Sequence, residues 1–341
     1  MTKPIRVGLM GFGRIGRNVF RQLEKEPGIE VAAISDVADR AALVYLLKFD
    51  TIFGRFPGNV ALDGTDLVVD GRRIPMLDGA NPGDTDWGAL DIDVVVQATR
   101  KHRTLAECRK HLDAGAKRVV LASTPEDWEE MDTLVFGAND DVLGPEDTVV
   151  ALGSNTSNAL APVLKVIDEK LGLDRAMFTV VHAFTNQQRL ADVPGDDLRT
   201  SRAAAENIIP TSTNSPEIVE RVLPGLAGKL SGIALNVPVA DGSNIDLVAF
   251  VNTPTSVAEV NALMAAAASE SDVIGYTDEP IVSSDVIGSP NSAVWDAQAT
   301  LVMDGTLIKG IIWFDNGWGY AARVVDAIAK LAAFDREGAS S

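Results

Sequence analysis

The sequence predicts an α/β protein of two domains. A parallel, helix-covered sheet occupies residues 1–153 and an α+β domain with an antiparallel sheet occupies residues 154–315, with the C-terminal helix of 316–341 packing back on the first. Three observations carry this. The chain has 341 residues, beyond the size at which a single hydrophobic core keeps growing. An apolar strand runs into a glycine-rich turn and then an amphipathic helix near the N-terminus, which opens a βαβ unit. After Gly153 the regular strand–helix alternation stops and long strand patterns dominate.

In chain order, residues 7–10 form the first strand, 11–16 a turn, 17–25 a helix, and 31–34 a second strand that ends in Ser35 and Asp36. Residues 91–96 and 118–121 read as buried parallel strands because they are near-continuous apolar runs, with a helix over 105–114 between them. Residues 148–152 are the last strand of this half, and a long helix follows over 157–171. Beyond it 177–182, 232–237 and 245–251 are strand-like, 256–268 is helical, and 321–334 has apolar residues at helical spacing.

The formal net charge is −18 and the pI about 4.5, so the molecule as a whole repels nucleic-acid backbones and anionic membranes. An anionic small-molecule substrate stays compatible, because arginines and helix N-termini reverse the local field inside a cleft. The N-terminus lacks the features of a secretory leader and no apolar run is long enough to span a bilayer, so a cytoplasmic protein is expected. The single cysteine, Cys108, excludes an intramolecular disulfide, and His102, His111 and His182 show no metal-ligand spacing.

Gly11, Gly13 and Gly16 match G-x-G-x-x-G between strand and helix, where missing side chains let a pyrophosphate reach the helix N-terminus. The turn Gly11, Phe12, Gly13, Arg14, Ile15 is thus the expected cofactor cradle of a Rossmann-like dinucleotide-binding domain. Asp36, 20 residues beyond Gly16, is placed to accept hydrogen bonds from a ribose and to repel a 2′-phosphate, which favours NAD over NADP.

The N-terminal segment Val7-Gly8-Leu9-Met10-Gly11-Phe12-Gly13-Arg14-Ile15-Gly16-Arg17, then Lys48-Phe49-Asp50-Thr51-Ile52-Phe53-Gly54-Arg55-Phe56, Val181-His182-Ala183-Phe184-Thr185, Asn207-Ile208-Ile209-Pro210-Thr211-Ser212-Thr213 and Trp313-Phe314-Asp315-Asn316-Gly317-Trp318-Gly319-Tyr320 occur in one order along the chain. Together they resemble the glyceraldehyde-3-phosphate dehydrogenase family from end to end. The resemblance implies NAD as cofactor, a homotetramer in which the loop of 186–202 reaches a neighbouring subunit, and a catalytic cysteine in a Ser-Cys-Thr-Thr-Asn run. Here that run reads Ser154-Asn155-Thr156-Ser157-Asn158, so Asn155 stands at the nucleophile's position. A carboxamide cannot form a thioester, its nitrogen lone pair being delocalised into the carbonyl. Cys108, in a predicted helix of the first domain, is no substitute.

By the same resemblance His182 matches the catalytic histidine, either retained as a proton acceptor and donor or kept as a relic of the fold. Asn316 matches the residue that holds the nicotinamide carboxamide, and Tyr320 its aromatic neighbour. Ser154, Thr156, Thr185, Arg199, Thr213 and Asn214 correspond to substrate and phosphate contacts, but Asn236 stands where an arginine is expected. Thr99 and Arg100 follow the strand of 91–96 where the family has a glycine beside the dinucleotide; Arg100 either obstructs the cofactor or adds a phosphate-binding cation. Two functions are compatible with these residues: an NAD-linked oxidoreductase acting on an aldehyde, oxo or alcohol group without a thioester, and a non-catalytic relative that binds cofactor or a phosphometabolite.

Overall fold

A computed structural model describes residues 3–186 and 188–338. The chain divides into two compact units, one of residues 1–134, 141–153 and 321–341, the other of residues 135–140 and 154–320. The division after Gly153 accompanies the change in strand pattern. The short excursion of 135–140 lies outside the sequence reading, and the return falls at Ala321, where the helical pattern of 321–334 begins, rather than at residue 316.

In the first unit, β1 (Ile5–Met10), α1 (Arg14–Leu23) and β2 (Ile29–Ser35) make the opening βαβ unit, and β1 pairs with β2 in parallel. The helix begins earlier than predicted because Gly13 serves as its N-cap, so the turn's own Arg14, Ile15 and Gly16 supply its first turn. α2 (Arg40–Lys48) is followed by a small hairpin of β3 (Phe49–Asp50) and β4 (Gly54–Arg55). Three antiparallel strands, β5 (Val60–Asp63), β6 (Asp66–Val69) and β7 (Arg72–Leu77), then extend the sheet. No strand was predicted there; their turns use Gly64, Asp70 and Gly71, all at positive φ. β8 (Val94–Gln97), α3 (Leu105–Asp113), β9 (Arg118–Leu121) and β10 (Val149–Ala151) complete the order β10-β9-β8-β1-β2-β7-β6-β5. Every residue of β8 and β9 is buried, as expected of central parallel strands covered on both faces.

The second unit is organised by α4 (Asn155–Leu171), whose Ala159, Leu160, Val163, Leu164 and Ile167 are buried in one core cluster. Ser154 caps it: its hydroxyl accepts from the Ser157 N–H at 3.0 Å, and the Ser157 hydroxyl accepts from the Ser154 N–H at 3.0 Å. The sheet contains β11 (Leu173–Ala183), β12 (Ile209–Thr211), β13 (Leu230–Val237), β14 (Ser243–Val251), β15 (Ile274–Thr277), β16 (Ala293–Asp296), β17 (Leu301–Met303) and β18 (Leu307–Phe314), with α5 (Ser215–Val222) and α6 (Val257–Ser269) interposed. Burial alternates along β14 and β18, so one face is core and the other is not.

The sheet is antiparallel except at two pairs, β11 with β13 and β15 with β16. Each parallel pair is joined by a connection long enough to cross back, residues 184–229 and 278–292. Chain pattern alone reveals the strands but not these directions.

α7 (Trp318–Gly338) ends the described chain. Within the first unit it is tied by Asp335, which accepts from Arg118 Nη2 at 2.6 Å and Nε at 3.0 Å, while Arg118 also donates to the Asp147 and Pro145 carbonyls. Among the described residues no helix is long and apolar enough to cross a membrane, and no cluster of His, Cys, Asp or Glu could hold a metal ion.

Candidate active site

In the first unit the glycine turn is shaped by close contacts. Gly11 has φ +98°, and a Cβ there would lie 2.9 Å from Thr99 Cγ2. A Cβ at Gly16 would meet the Gly11 carbonyl oxygen at 2.2 Å, so this residue must be glycine for helix and turn to touch. Gly13 differs: nothing lies within 4 Å of a Cβ built there. The protein does not require its smallness, but an approaching ligand would. α1 also lacks a side-chain cap, which leaves its first N–H groups without a side-chain acceptor, where an anion is favoured. These features fit a dinucleotide pyrophosphate.

Asp36 ends β2, and its carboxylate accepts from the Phe12 N–H at 2.6 Å and the Ala38 N–H at 2.8 Å. It is half-buried and fixed at the lip of the turn. Phe12 belongs to the core rather than to a ligand surface: its ring is fully buried and packs edge-on to Phe20 at 5.6 Å. Arg14 is exposed and Ile15 half-buried at the helix start, Thr99 is half-buried, and Arg100 is exposed. Arg100 is thus exposed on the loop that touches Gly11, though partial desolvation lowers its pKa.

In the second unit four predicted residues come together. His182, near the end of β11, donates from Nδ1 to the carbonyl of Ala183 at 2.6 Å, which puts the lone pair of the neutral ring on Nε2. Burial lowers the His182 pKa, opposed in part by that carbonyl, so the ring is neutral near pH 7. Asn155, the first residue of α4, turns its Nδ2 toward His182 Nε2 at 3.4 Å and donates to the Asn316 carbonyl at 2.9 Å. Its Oδ1 accepts from the Thr156 N–H at 2.8 Å, which fixes the amide orientation. Asn236 pairs in register with His182 across the parallel β11–β13 ladder, and like His182 it lies on the core side of the sheet. Its side chain, 8% exposed, makes no hydrogen bond within the described residues.

The other predicted contacts are engaged elsewhere. Thr156 is buried and turns its hydroxyl toward Asn155 Oδ1 at 3.4 Å rather than outward. Ser154 is occupied as the helix cap. Thr185 shares its N–H and hydroxyl with Gln188 Oε1 at 2.5 and 3.0 Å. Thr213 bonds Ser215, and Asn214 is the exposed N-cap of α5, which packs on α4. Arg199 is exposed in a turn, with no hydrogen bond to the His182 cluster. Tyr320 is buried in the first turn of α7, and burial raises its pKa.

Two positioning groups escaped the sequence reading. The buried Ser243 hydroxyl accepts from the Ala183 N–H at 3.0 Å and donates to Asn316 Oδ1 at 3.1 Å, joining the histidine's strand to Asn316. The buried Asp315 accepts from the Gly288, Gly317 and Trp318 N–H groups, fixing the backbone on either side of Asn316. Serine opening a strand, and aspartate before a helix, were the available signals. Cys108 is fully buried in α3, and burial with nearby carboxylates pushes its thiol up to about 12, so it is inert.

With this geometry in hand, comparison with known proteins is informative. Residues 5–105 match the model of the glyceraldehyde 3-phosphate dehydrogenase NAD binding domain, and residues 154–316 that of its C-terminal domain. Glyceraldehyde-3-phosphate dehydrogenase 2 of Streptomyces avermitilis is 45% identical over 327 residues, 94% of this chain and 97% of that protein. The glyceraldehyde-3-phosphate dehydrogenases of Geobacillus stearothermophilus and Mycobacterium avium are each 44% identical, over 96% of this chain and 98% of theirs.

Proposed function

Because the chain belongs to the glyceraldehyde-3-phosphate dehydrogenase family, a family of NAD-binding oxidoreductases, we propose that it moves a hydride between NAD and an aldehyde, oxo or alcohol substrate without forming a thioester. The observation that carries this is the pairing of Asn155 Nδ2 with the unprotonated Nε2 of His182 at 3.4 Å. A base and a hydrogen-bond donor stand together at the N-terminus of a long helix, with no thiol beside them.

NAD, when bound, would supply the hydride acceptor; the rest is the work of this chain's side chains. A substrate hydroxyl, that of an alcohol or of the hydrate that an aldehyde forms with water, replaces Asn155 as the partner of His182 Nε2 and gives that nitrogen its proton as the C–H bond breaks, leaving a carbonyl compound or a carboxylic acid. The contact it displaces is long for a hydrogen bond, so the exchange costs little. Oxygen held at the same place accepts from Asn155 Nδ2 and from the Asn155 N–H, the first of α4, which has no partner within the described residues. In the reverse direction protonated His182 returns the proton to the forming alkoxide. Asn316, its Oδ1 engaged by Ser243, keeps Nδ2 for a carboxamide acceptor.

Asn236 beside His182 is neutral, so a substrate phosphate finds no cation there. Loss of one charge-assisted hydrogen bond is worth about 1.5–3 kcal/mol, which favours unphosphorylated or differently charged substrates. A homotetramer is part of the proposal. Met177 and Ile233 are 66% and 53% exposed on the sheet face opposite the core, where a second subunit would cover them. The loop of 186–202 assigned to a neighbour includes Gln187, which lies outside the described residues.

A non-catalytic binding role is the competing reading, favoured by the same Asn155 contact, which already occupies the histidine's lone pair. Turnover separates the two. NADH formation is to be followed with NAD and a panel of hydroxyaldehydes, aldehydes and alcohols, beside His182→Asn. Activity lost in that variant supports the oxidoreductase. Tight NAD binding with no turnover across the panel supports the binder.

A further inference from the structure

Several buried polar groups of the first unit take no part in the chemistry above, yet they form one continuous chain of hydrogen bonds. Trp87, Gln97 and His111 are each 0% exposed. The direction of every bond follows from one end. An indole N–H only donates, and Trp87 Nε1 lies 2.9 Å from His111 Nδ1, so Nδ1 carries the lone pair. Burial keeps the ring neutral, its pKa pushed down to about 4, and the single proton is therefore on Nε2.

His111 Nε2 accordingly donates to Gln97 Oε1 at 3.0 Å. That turns the other end of the carboxamide toward the loop following β8. There Gln97 Nε2 donates to Thr99 Oγ1 at 2.7 Å and to the Lys101 carbonyl at 3.1 Å. Thr99 Oγ1, having accepted, donates its own proton to the same carbonyl at 2.7 Å. Reversing the Gln97 amide would set donor against donor at His111, so the loop is folded around one allowed orientation.

This loop touches the glycine turn. The position of a Cβ on Gly11 lies 2.9 Å from Thr99 Cγ2 and 3.0 Å from the Thr99 nitrogen. Arg100, exposed and without an ion-pair partner in the described residues, rides on the same loop. Any change in how Gln97 holds Thr99 alters the wall of the turn and the place of that cation.

We propose that Gln97 and His111 are positioning residues for the dinucleotide: anchored on Trp87, they hold the Thr99–Arg100–Lys101 segment against the Gly11 turn in the shape that accepts NAD, without touching it themselves. The proposal rests on the first unit's being an NAD-binding domain, which titration of the unchanged protein tests separately.

The experiment measures NAD dissociation constants by calorimetry for His111→Leu, Thr99→Val, their double variant and His111→Gln. Amide hydrogen exchange of Ala98, Thr104 and Glu126, whose N–H groups are hydrogen-bonded at the two ends of this loop and to its Arg103 carbonyl, is followed in the same proteins without NAD. His111→Gln presents an acceptor and a donor spaced like the two ring nitrogens. Each of the first two variants should weaken NAD about tenfold, the value of one well-made hydrogen bond, and the double variant no more than the worse single one. His111→Gln should restore binding, and exchange at these three amides should quicken in His111→Leu and not in His111→Gln. Unchanged affinity and exchange in folded His111→Leu overturn the relay, as do effects that multiply in the double variant. If His111→Leu fails to fold, Thr99→Val on the surface loop decides, and there wild-type affinity overturns the proposal. Should the unchanged protein not bind NAD, the functional reading falls, and quickened exchange in His111→Leu still supports the relay.

Discussion

Replacing Asn155 by cysteine tests whether the N-terminus of α4 is the nucleophile's seat. The introduced thiol would occupy the first residue of a helix that runs from Asn155 to Leu171, beside a histidine whose Nε2 faces the position at 3.4 Å in the native chain. A partly buried helix N-terminus stabilises an anion by up to about 2 kcal/mol, which corresponds to about 1.5 pKa units. Starting from about 8.5, the thiol should titrate near or slightly above 7. At neutral pH the thiolate fraction then rises from a few per cent to about a quarter or more, roughly tenfold. Alkylation by iodoacetamide reads this directly, because Cys108 is buried with its thiol pushed up to about 12 and gives a silent background. The substitution also leaves the Thr156 N–H without Oδ1, a cost of about 1–2 kcal/mol in stability. An apparent pKa at or above the ordinary thiol value, or alkylation no faster than that of a surface thiol, would refute the placement. Dehydrogenation of glyceraldehyde 3-phosphate should recover only in part, because Asn236 is still neutral.

Two further outcomes concern the first unit. His111 is depressed to about 4 from an ordinary value near 6.5, so between those values the unfolded chain binds the extra proton. Stability is complete above about pH 6.5 and falls by about 3 kcal/mol as pH drops toward 4; urea midpoints across that range check it, and His111→Gln should flatten the slope. Gly16→Ala forces a methyl group to within 2.2 Å of the Gly11 carbonyl oxygen. The expected loss is about 1–3 kcal/mol together with weakened NAD binding, and a wild-type unfolding midpoint would show that the turn relaxes freely.

Much of this architecture was legible in the chain. The continuous valines of 94–96 gave a buried parallel strand because both faces are covered, and the glycine turn gave the helix start and the anion-favouring N-terminus. The direction of the Phe12 side chain is not legible, because a motif position says nothing of it, and the ring turns into the core against Phe20. Strand direction in β11 and β13 escaped because alternation is the same in parallel and antiparallel ladders. Asn155, His182 and Asn316 could be matched in order along the chain, but their hydrogen bonds join residues up to 161 apart. Ser243 and Gln97 act entirely through such distant partners, so local pattern carries little trace of them.

The most direct test of a thiol-free mechanism is the phosphate dependence of NADH formation. Purified protein is mixed with NAD and glyceraldehyde 3-phosphate, or with its unphosphorylated aldehyde, with and without inorganic phosphate. A mechanism without a thioester has no step at which phosphate releases an acyl group, so NADH formation should be indifferent to phosphate and should favour the unphosphorylated compound. Rapid, phosphate-stimulated NADH formation from glyceraldehyde 3-phosphate would contradict the account.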